Sequence, residues 1–361
     1  IVDNWNNAYP IISEAPFGLK GWQVAFMAVG IPGMLLALLT WQIKEPPRGL
    51  SEGLISSESK NPLKETFKEL VGLTPFGLLG SDNFKKELSV NIIFTVLIFL
   101  ASYYLYVLTG DFLQWTAFGI GVYVICNWIH GLKNRDPVAF LLIFKSKALL
   151  LGLLSFPFIT FVTYALGAFG PSFYIRNFSM TATEVGIIYG LITVFGSMIG
   201  VICGGILGDK LRESYVNGKL YLIMASAVLT GVTAIGFIHS ENLVASFTWK
   251  FVYHIASTAW LGCAASTVTE LVLPRLRAVA SAFFILMLSM IGLALGPYLT
   301  GMVSDIYINS GLLPGPALKN AMTLTLVVLI LPFGLLAVAC KYLKSDEAEI
   351  YEKARSLGEE I

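Results

Sequence analysis

Apolar runs close to the twenty residues that a helix needs to cross a hydrocarbon core recur along the chain. They fall at about 22–43, 92–109, 114–131, 148–170, 184–208, 219–238, 244–271, 278–303 and 319–342. The pattern predicts nine membrane-spanning helices, the second and third being the shortest. Ahead of the second run, Leu63, Phe67, Leu70 and Val71 recur at helical spacing, flanked by Lys60, Lys64 and Lys68. That stretch predicts either an amphipathic helix on the inner membrane face or an ordinary soluble linker helix. The final stretch, 343–361, reads as a solvated helix with no chemistry of its own.

One apolar run has an internal echo. FGSMIGVICGGILGD at 195–209 and IGLALGPYLTGMVSD at 291–305 superpose at an offset of 96, matching Gly196 to Gly292, Gly200 to Gly296, Gly205 to Gly301 and Asp209 to Asp305. Glycines four apart share a helix face and let a second backbone approach closely. The two runs are the second and fifth of the last six spans and point in opposite directions. Residues 148–238 and 244–342 therefore read as two three-helix repeats of inverted topology, an architecture of secondary transporters.

Charge orients the chain. Of 24 Lys and Arg, 20 fall in the segments on one side of this topology, and only Lys20, Arg176 and Lys319 fall on the other. By the positive-inside rule the C-terminus is cytoplasmic. Nine spans then place residue 1 outside. The chain begins at Ile1 without a signal-peptide pattern, and the expectation is the C-terminal part of a longer protein. Hydrophobic residues make up 56% of the chain and charged residues 13%, about half the charged fraction of a soluble domain. Nothing points to nucleic-acid binding.

Catalytic signatures are missing. Cys126, Cys203, Cys263 and Cys340 sit in or beside apolar spans without metal-ligand spacing, and His130, His239 and His254 are scattered. There is no P-loop, dinucleotide fingerprint or nucleophile elbow. No enzyme chemistry, cofactor or metal is expected.

Several motifs carry a family resemblance. Gly205-Ile-Leu-Gly-Asp209-Lys210-Leu-Arg212 resembles the G-x-x-x-D-[RK] loop of the major facilitator superfamily, which that family has between its eighth and ninth helices. Glu270-Leu-Val-Leu-Pro274-Arg275-Leu-Arg277-Ala278 resembles its turn between helices ten and eleven. Gly21, Trp22, Phe26, Gly30 and Gly33, with Glu45-Pro46-Pro47-Arg48, resemble helix six and its exit; Gly296-Pro297 with Gly301 and Asp305 resembles helix eleven. The wording EPPRG and PRLRAVASAF is similar to the spinster-like branch.

The resemblance implies an all-α polytopic membrane protein: the C-terminal half of a major facilitator-type bundle with inverted three-helix repeats, plus an inserted hairpin. It divides the chain into an external loop (1–21), the last helix of an N-terminal half (22–43), a cytoplasmic linker with a hairpin at about 92–131 (44–147), a six-helix bundle (148–342) and a cytoplasmic tail (343–361). It implies alternating-access transport of a small organic solute, amphipathic or lipid-like in some spinster-like members, either facilitated or coupled to a proton or sodium ion. The rival readings are a receptor or scaffold that kept the fold, and a channel. The expected location is a bacterial inner membrane.

Candidate substrate contacts are the polar and aromatic residues within spans, which hydrocarbon makes costly unless they pair or line water. They are Lys250, Tyr253, His254 and Trp260 in the run 244–271, with Tyr164 and Tyr189. For Lys250, snorkelling toward the outer interface competes with this reading. A conformational latch is expected from Gly205, Asp209, Arg212, Glu270 and Arg277, with Asp209 and Glu270 exchanging Arg277. Gly196, Gly200, Gly292, Gly296, Pro297 and Gly301 are assigned to helix packing.

Overall fold

A computed structural model describes residues 1–44, 61–72, 74 and 84–356. All regular elements among the described residues are helical. The chain divides near residue 58 into two units.

The first unit holds α1 (Val2–Ala8) and α2 (Gly21–Trp41), joined by two short 3-10 turns. The Trp5 indole donates to the Leu19 carbonyl at 2.8 Å, which ties α1 to the start of α2. A Cβ at Gly21 would lie 2.6 Å from Asn6 Oδ1, so the entry to α2 requires glycine. The predicted span 22–43 is this helix. The Glu45-to-Arg48 motif and Lys60 lie outside the described residues.

The second unit opens with α3 (Pro62–Gly72), the predicted amphipathic helix. Leu63, Phe67 and Leu70 leave its apolar face exposed. The hairpin follows as α4 (Phe84–Thr109) and α5 (Phe112–Arg135), turning at Gly110 with φ +82°, a conformation that suits glycine. Both helices outrun their apolar stretches by one to two turns at the basic end. A polar clasp joins them there: Asn91 Nδ2 donates to Asn127 Oδ1 at 2.9 Å, and the Tyr123 hydroxyl donates to Asn91 Oδ1 at 3.0 Å. Asn127 also donates to the Thr74 carbonyl at 3.1 Å.

After α6 (Pro137–Lys145) come the bundle helices α7 (Lys147–Phe178), α8 (Ala182–Ser214) and α9 (Gly218–His239). They are followed by α10 (Leu243–Thr258), α11 (Trp260–Glu270), α12 (Arg277–Met287), α13 (Ala294–Asn309), α14 (Pro314–Thr325), α15 (Ile330–Ala339) and α16 (Leu343–Ser356). Eight helices among the described residues are long and apolar enough to span a membrane, against nine predicted. The difference is the run 244–271, which is interrupted at Ala259 between α10 and α11. The break falls where α8 presses closest: a Cβ at Gly204 would lie 2.0 Å from the Ala259 carbonyl oxygen.

The glycine echo accounts for the helix pairing. Gly196, Gly200, Gly204 and Gly208 are buried and face Phe251, Ile255, Ala259 and Cys263 in turn. Four positions spaced four residues apart on α8 thus run in parallel against four on α10–α11. At an offset of 96, the same stripe on the second repeat is Gly292, Gly296, Thr300 and Ser304, again all buried. There Gly292 and Gly296 pack on Thr160 and Phe161 of α7. The middle helix of each repeat therefore pairs with the first helix of the other. Gly205 is off this stripe, and a Cβ there meets nothing within 4 Å. Gly301 faces Phe169, whose ring would lie 3.1 Å from a Cβ at that position.

A π-helical turn, Leu288–Leu293, joins α12 to α13, and Pro297 lies one turn beyond. The hairpin docks along this segment. Gln114 donates to the Ala294 carbonyl at 3.3 Å, and the Tyr298 hydroxyl donates to Asp111 at 2.6 Å. The Trp115 and Tyr298 rings meet edge-on at 5.4 Å, and Trp128 stacks on Phe283 at 5.3 Å.

Asp136 caps α6 through the Ala139 amide at 2.9 Å and takes a hydrogen bond from Arg275 at 2.6 Å. Partial burial pushes its carboxyl upward, but the Arg275 guanidinium and backbone amides outweigh that and hold it below the usual range. A depressed carboxylate stabilises the fold above its unfolded pKa of about 3.9 and loses that contribution as pH falls through the folded value. Hydrogen exchange at the Ala139 amide should therefore stay protected down to about pH 4 and lose protection in more acid solution. Asp136→Asn should make it exchange faster at neutral pH.

The C-terminal helix α16 is anchored, contrary to its reading as a solvated tail. Asp346 is 7% exposed and accepts hydrogen bonds from the Ser146 hydroxyl at 2.9 Å and the Ala148 amide at 2.8 Å. It thereby caps the N-terminus of α7 beside Ser146, the N-cap residue, which accepts from Leu149 at 3.3 Å. Glu347 receives Arg212 of α8 at 2.6 Å.

Candidate functional site

Four of the six predicted contact residues come together inside the bundle. Lys250 is completely buried. Its ammonium lies 4.2 Å from the centre of the Phe237 ring, 4.4 Å from Tyr253 and 4.9 Å from Tyr189. Helices α8, α9 and α10 each contribute a wall, so the amino group sits in an aromatic cage. Nζ has no hydrogen-bond partner among the described residues. Cation–π attraction of about 2 kcal/mol for a desolvated pair is the visible compensation for removing this group from water. The Lys250 stem is held inward among the rings, which does not match the snorkelling alternative.

His254, one turn further along α10, faces α8: its Nε2 is 3.0 Å from the Thr193 hydroxyl, and its ring meets Tyr189 edge-on. The Tyr189 hydroxyl reaches back to the Leu166 carbonyl of α7 at 3.4 Å. Tyr253 completes the cage. Its hydroxyl is buried near Thr163 and Ser257 but makes no hydrogen bond of good geometry. The cluster is thus an amino group, an imidazole and two phenols on two helices, closed by the α9 ring, with no carboxylate against it among the described residues.

The remaining two candidates lie elsewhere. Trp260 is buried, donates to the Ser257 carbonyl at 2.9 Å and stacks on Phe156 at 5.9 Å. Tyr164 is 43% exposed on α7. Lys250 and Trp260 are enclosed by the bundle helices alone, whereas Tyr164 lies on an open face.

At the basic ends of the helices the latch residues adopt a different pairing from the one read in the sequence. Asp209 and Glu270 both meet Lys219 at the start of α9, Asp209 at 3.8 Å and Glu270 more closely. The Arg277 guanidinium donates to the Thr269 carbonyl at 3.2 Å. Arg212 donates to the Val216 carbonyl and pairs with Glu347. Lys219 gives no signal in the sequence because it stands at the rim of an apolar run, where an interfacial lysine is ordinary. Its 9% side-chain exposure, against 77% for Asp209, marks it as the centre of the cluster.

Two inverted three-helix units, cross-paired by small-residue stripes and holding buried polar groups, define a multi-pass membrane bundle of the secondary-transporter kind. No protein-family model matches the chain. Curated relatives do. The chain is 30% identical over 201 residues to an MFS-type efflux pump of Mycolicibacterium smegmatis, covering 55% of this chain and 45% of that protein. It is 26% identical over 173 residues to protein spinster of Drosophila melanogaster, covering 45% and 28%. It is 25% identical over 177 residues to human protein spinster homolog 1, covering 45% and 33%. The chain thus spans less than half the length of these relatives.

Among solved structures, a bacterial homolog of the human lysosomal transporter Spinster, inward-facing and occupied, aligns at 22% identity with a TM-score of 0.46. That alignment covers 67% of this chain and 58% of that one. The chain is thus similar in sequence to an MFS-type efflux pump and to spinster proteins.

Proposed function

We propose that the protein containing this chain is a secondary transporter that moves a small organic solute by alternating access, and that it is not an enzyme. The relatives' names support transport, and the cross-paired inverted repeats carry the mechanism. Residues 22–43 serve as the last helix of an N-terminal half and 148–342 as the C-terminal half. The basic face, with the C-terminus, lies in the cytoplasm, in a bacterial inner membrane.

Within this reading the Lys250 cluster is the polar centre of the C-terminal half. Its amino group has no acid partner among the described residues, so it can receive the acidic group of a solute or exchange a coupling proton when α10 shifts against α8. Tyr164 belongs to the open face that meets the solute. Asp209, Lys219 and Glu270 form the latch, which joins α8, α9 and α11 in the closed arrangement. With its carboxylates open to solvent, such a cluster contributes on the scale of a surface pair, about 0–1 kcal/mol, enough to bias a two-state equilibrium without fixing it.

Saturable flux by the complete protein in liposomes tests the class. The 361-residue chain alone should insert but carry no solute. Flux without saturation would indicate a channel, and no flux by the complete protein a receptor or scaffold. Lys250→Met tests the site. It keeps the stem volume and removes a charge whose burial is costly, so the melting temperature should rise while transport falls and loses its pH dependence. A lower melting temperature with unchanged transport would return Lys250 to a packing role.

A further inference from the structure

The hairpin holds a cavity at the basic ends of its helices. It measures about 540 Å³ and lies between α4, α5 and α6. Toward the helix ends its lining is polar, formed by Glu87, His130, Lys133 and Asn134, and one to two turns further into the hairpin it is apolar, formed by Val90, Phe94 and Ile129. Lys133 makes no ion pair among the described residues; its ammonium lies 5.8 Å from the centre of the Phe140 ring. The Glu87 carboxylate accepts a hydrogen bond from Asn134 at 3.0 Å. The rim therefore offers a cation with room for an anion next to an acceptor with room for a hydroxyl donor. Next to it along the hairpin lies an apolar stretch of the groove.

We propose that this cavity binds an anionic glycerophospholipid with a hydroxylated headgroup: phosphate on Lys133 and His130, headgroup hydroxyl on Glu87, and one acyl chain against Phe94 and Ile129. Three features carry the assignment. The cavity lies in a membrane-embedded hairpin where lipid is the abundant ligand. Its polarity changes along the hairpin, from the helix ends inward, in the way a phospholipid's does from headgroup to acyl chain. And the cavity's lysine, Lys133, makes no ion pair among the described residues, so the site favours anionic over zwitterionic lipid.

Native mass spectrometry of the delipidated protein, given phosphatidylglycerol or phosphatidylcholine at equal concentration, tests the site. Phosphatidylglycerol should remain bound through detergent release and phosphatidylcholine should not. Lys133→Gln, at an exposed position that the fold tolerates, should cut phosphatidylglycerol retention about fivefold, the equivalent of about 1 kcal/mol per juxtamembrane cation. Phe94→Ser should reduce it further, and Lys344→Gln should leave it unchanged. Inorganic phosphate in excess should not displace the lipid. Equal retention of both lipids, retention unaffected by Lys133→Gln, or displacement by phosphate alone would each overturn the proposal.

Discussion

Gly204→Val should abolish accumulation of folded protein, while Gly205→Ala, its immediate neighbour, should leave the melting temperature nearly unchanged. A Cβ at 204 would lie 2.0 Å from the Ala259 carbonyl oxygen and 2.6 Å from its Cα. These are backbone atoms that no rotamer change can move aside. Relief requires α8 and α10 to separate along the whole stripe, which also opens the contacts at Gly196, Gly200 and Gly208. Overpacking typically costs about 1–3 kcal/mol where side chains can adjust; here the obstacle is main chain, and the expected cost is above that range. A β-branched residue adds its own restriction at χ1. Fluorescence-detected size-exclusion chromatography of both variants, expressed side by side, reads the contrast. A monodisperse Gly204→Val peak would show that α8 and α10 do not pack as described.

Asp346→Ala should lower the melting temperature by several degrees and free α16, with Asp346→Asn intermediate. The wild-type carboxylate accepts from an amide and a hydroxyl in a buried place. Charge-assisted hydrogen bonds contribute about 1.5–3 kcal/mol each, and alanine leaves the Ala148 amide and the Ser146 hydroxyl without that partner. Asparagine keeps an acceptor oxygen but gives up the charge that favours a helix N-terminus. Exchange at the Ala148 amide and trypsin cleavage within α16 should increase together in Asp346→Ala. Unchanged protection at Ala148 would sink the capping role.

The helices and their inversion are legible in the sequence because hydrocarbon imposes a strong pattern: long apolar runs, and glycines at four-residue spacing on matched segments. The same signal misleads at one position. Superposing the two runs by identity pairs Gly205 with Gly301, but burial pairs Gly204 with Thr300 and Gly208 with Ser304. What repeats is smallness on one face, and a threonine or serine can supply it as well as a glycine. Lys250, Tyr253, His254 and Tyr189 stand out by their cost in lipid, yet the cage wall Phe237 looks like any apolar residue and gives no signal. Lys219, the Asn91–Asn127 clasp and the docking of α16 escape for another reason. Each depends on a distant partner, 36 residues off for the clasp, 51 from Lys219 to Glu270 and 200 from Asp346 to Ser146, and the sequence around each one reads as an ordinary helix end or tail.

The Asp346 anchor also sets an order of events during synthesis. Its partners Ser146 and Ala148 emerge from the ribosome before any of the bundle helices is complete, but the carboxylate that caps them is 198 residues downstream of Ala148. At about 5–20 residues per second, the first bundle helix waits some tens of seconds with that cap unfilled. It is closed only when every span of the bundle has been made. A nascent chain stalled just before residue 346 would therefore hold every span of the bundle yet lack the fastening at the foot of α7.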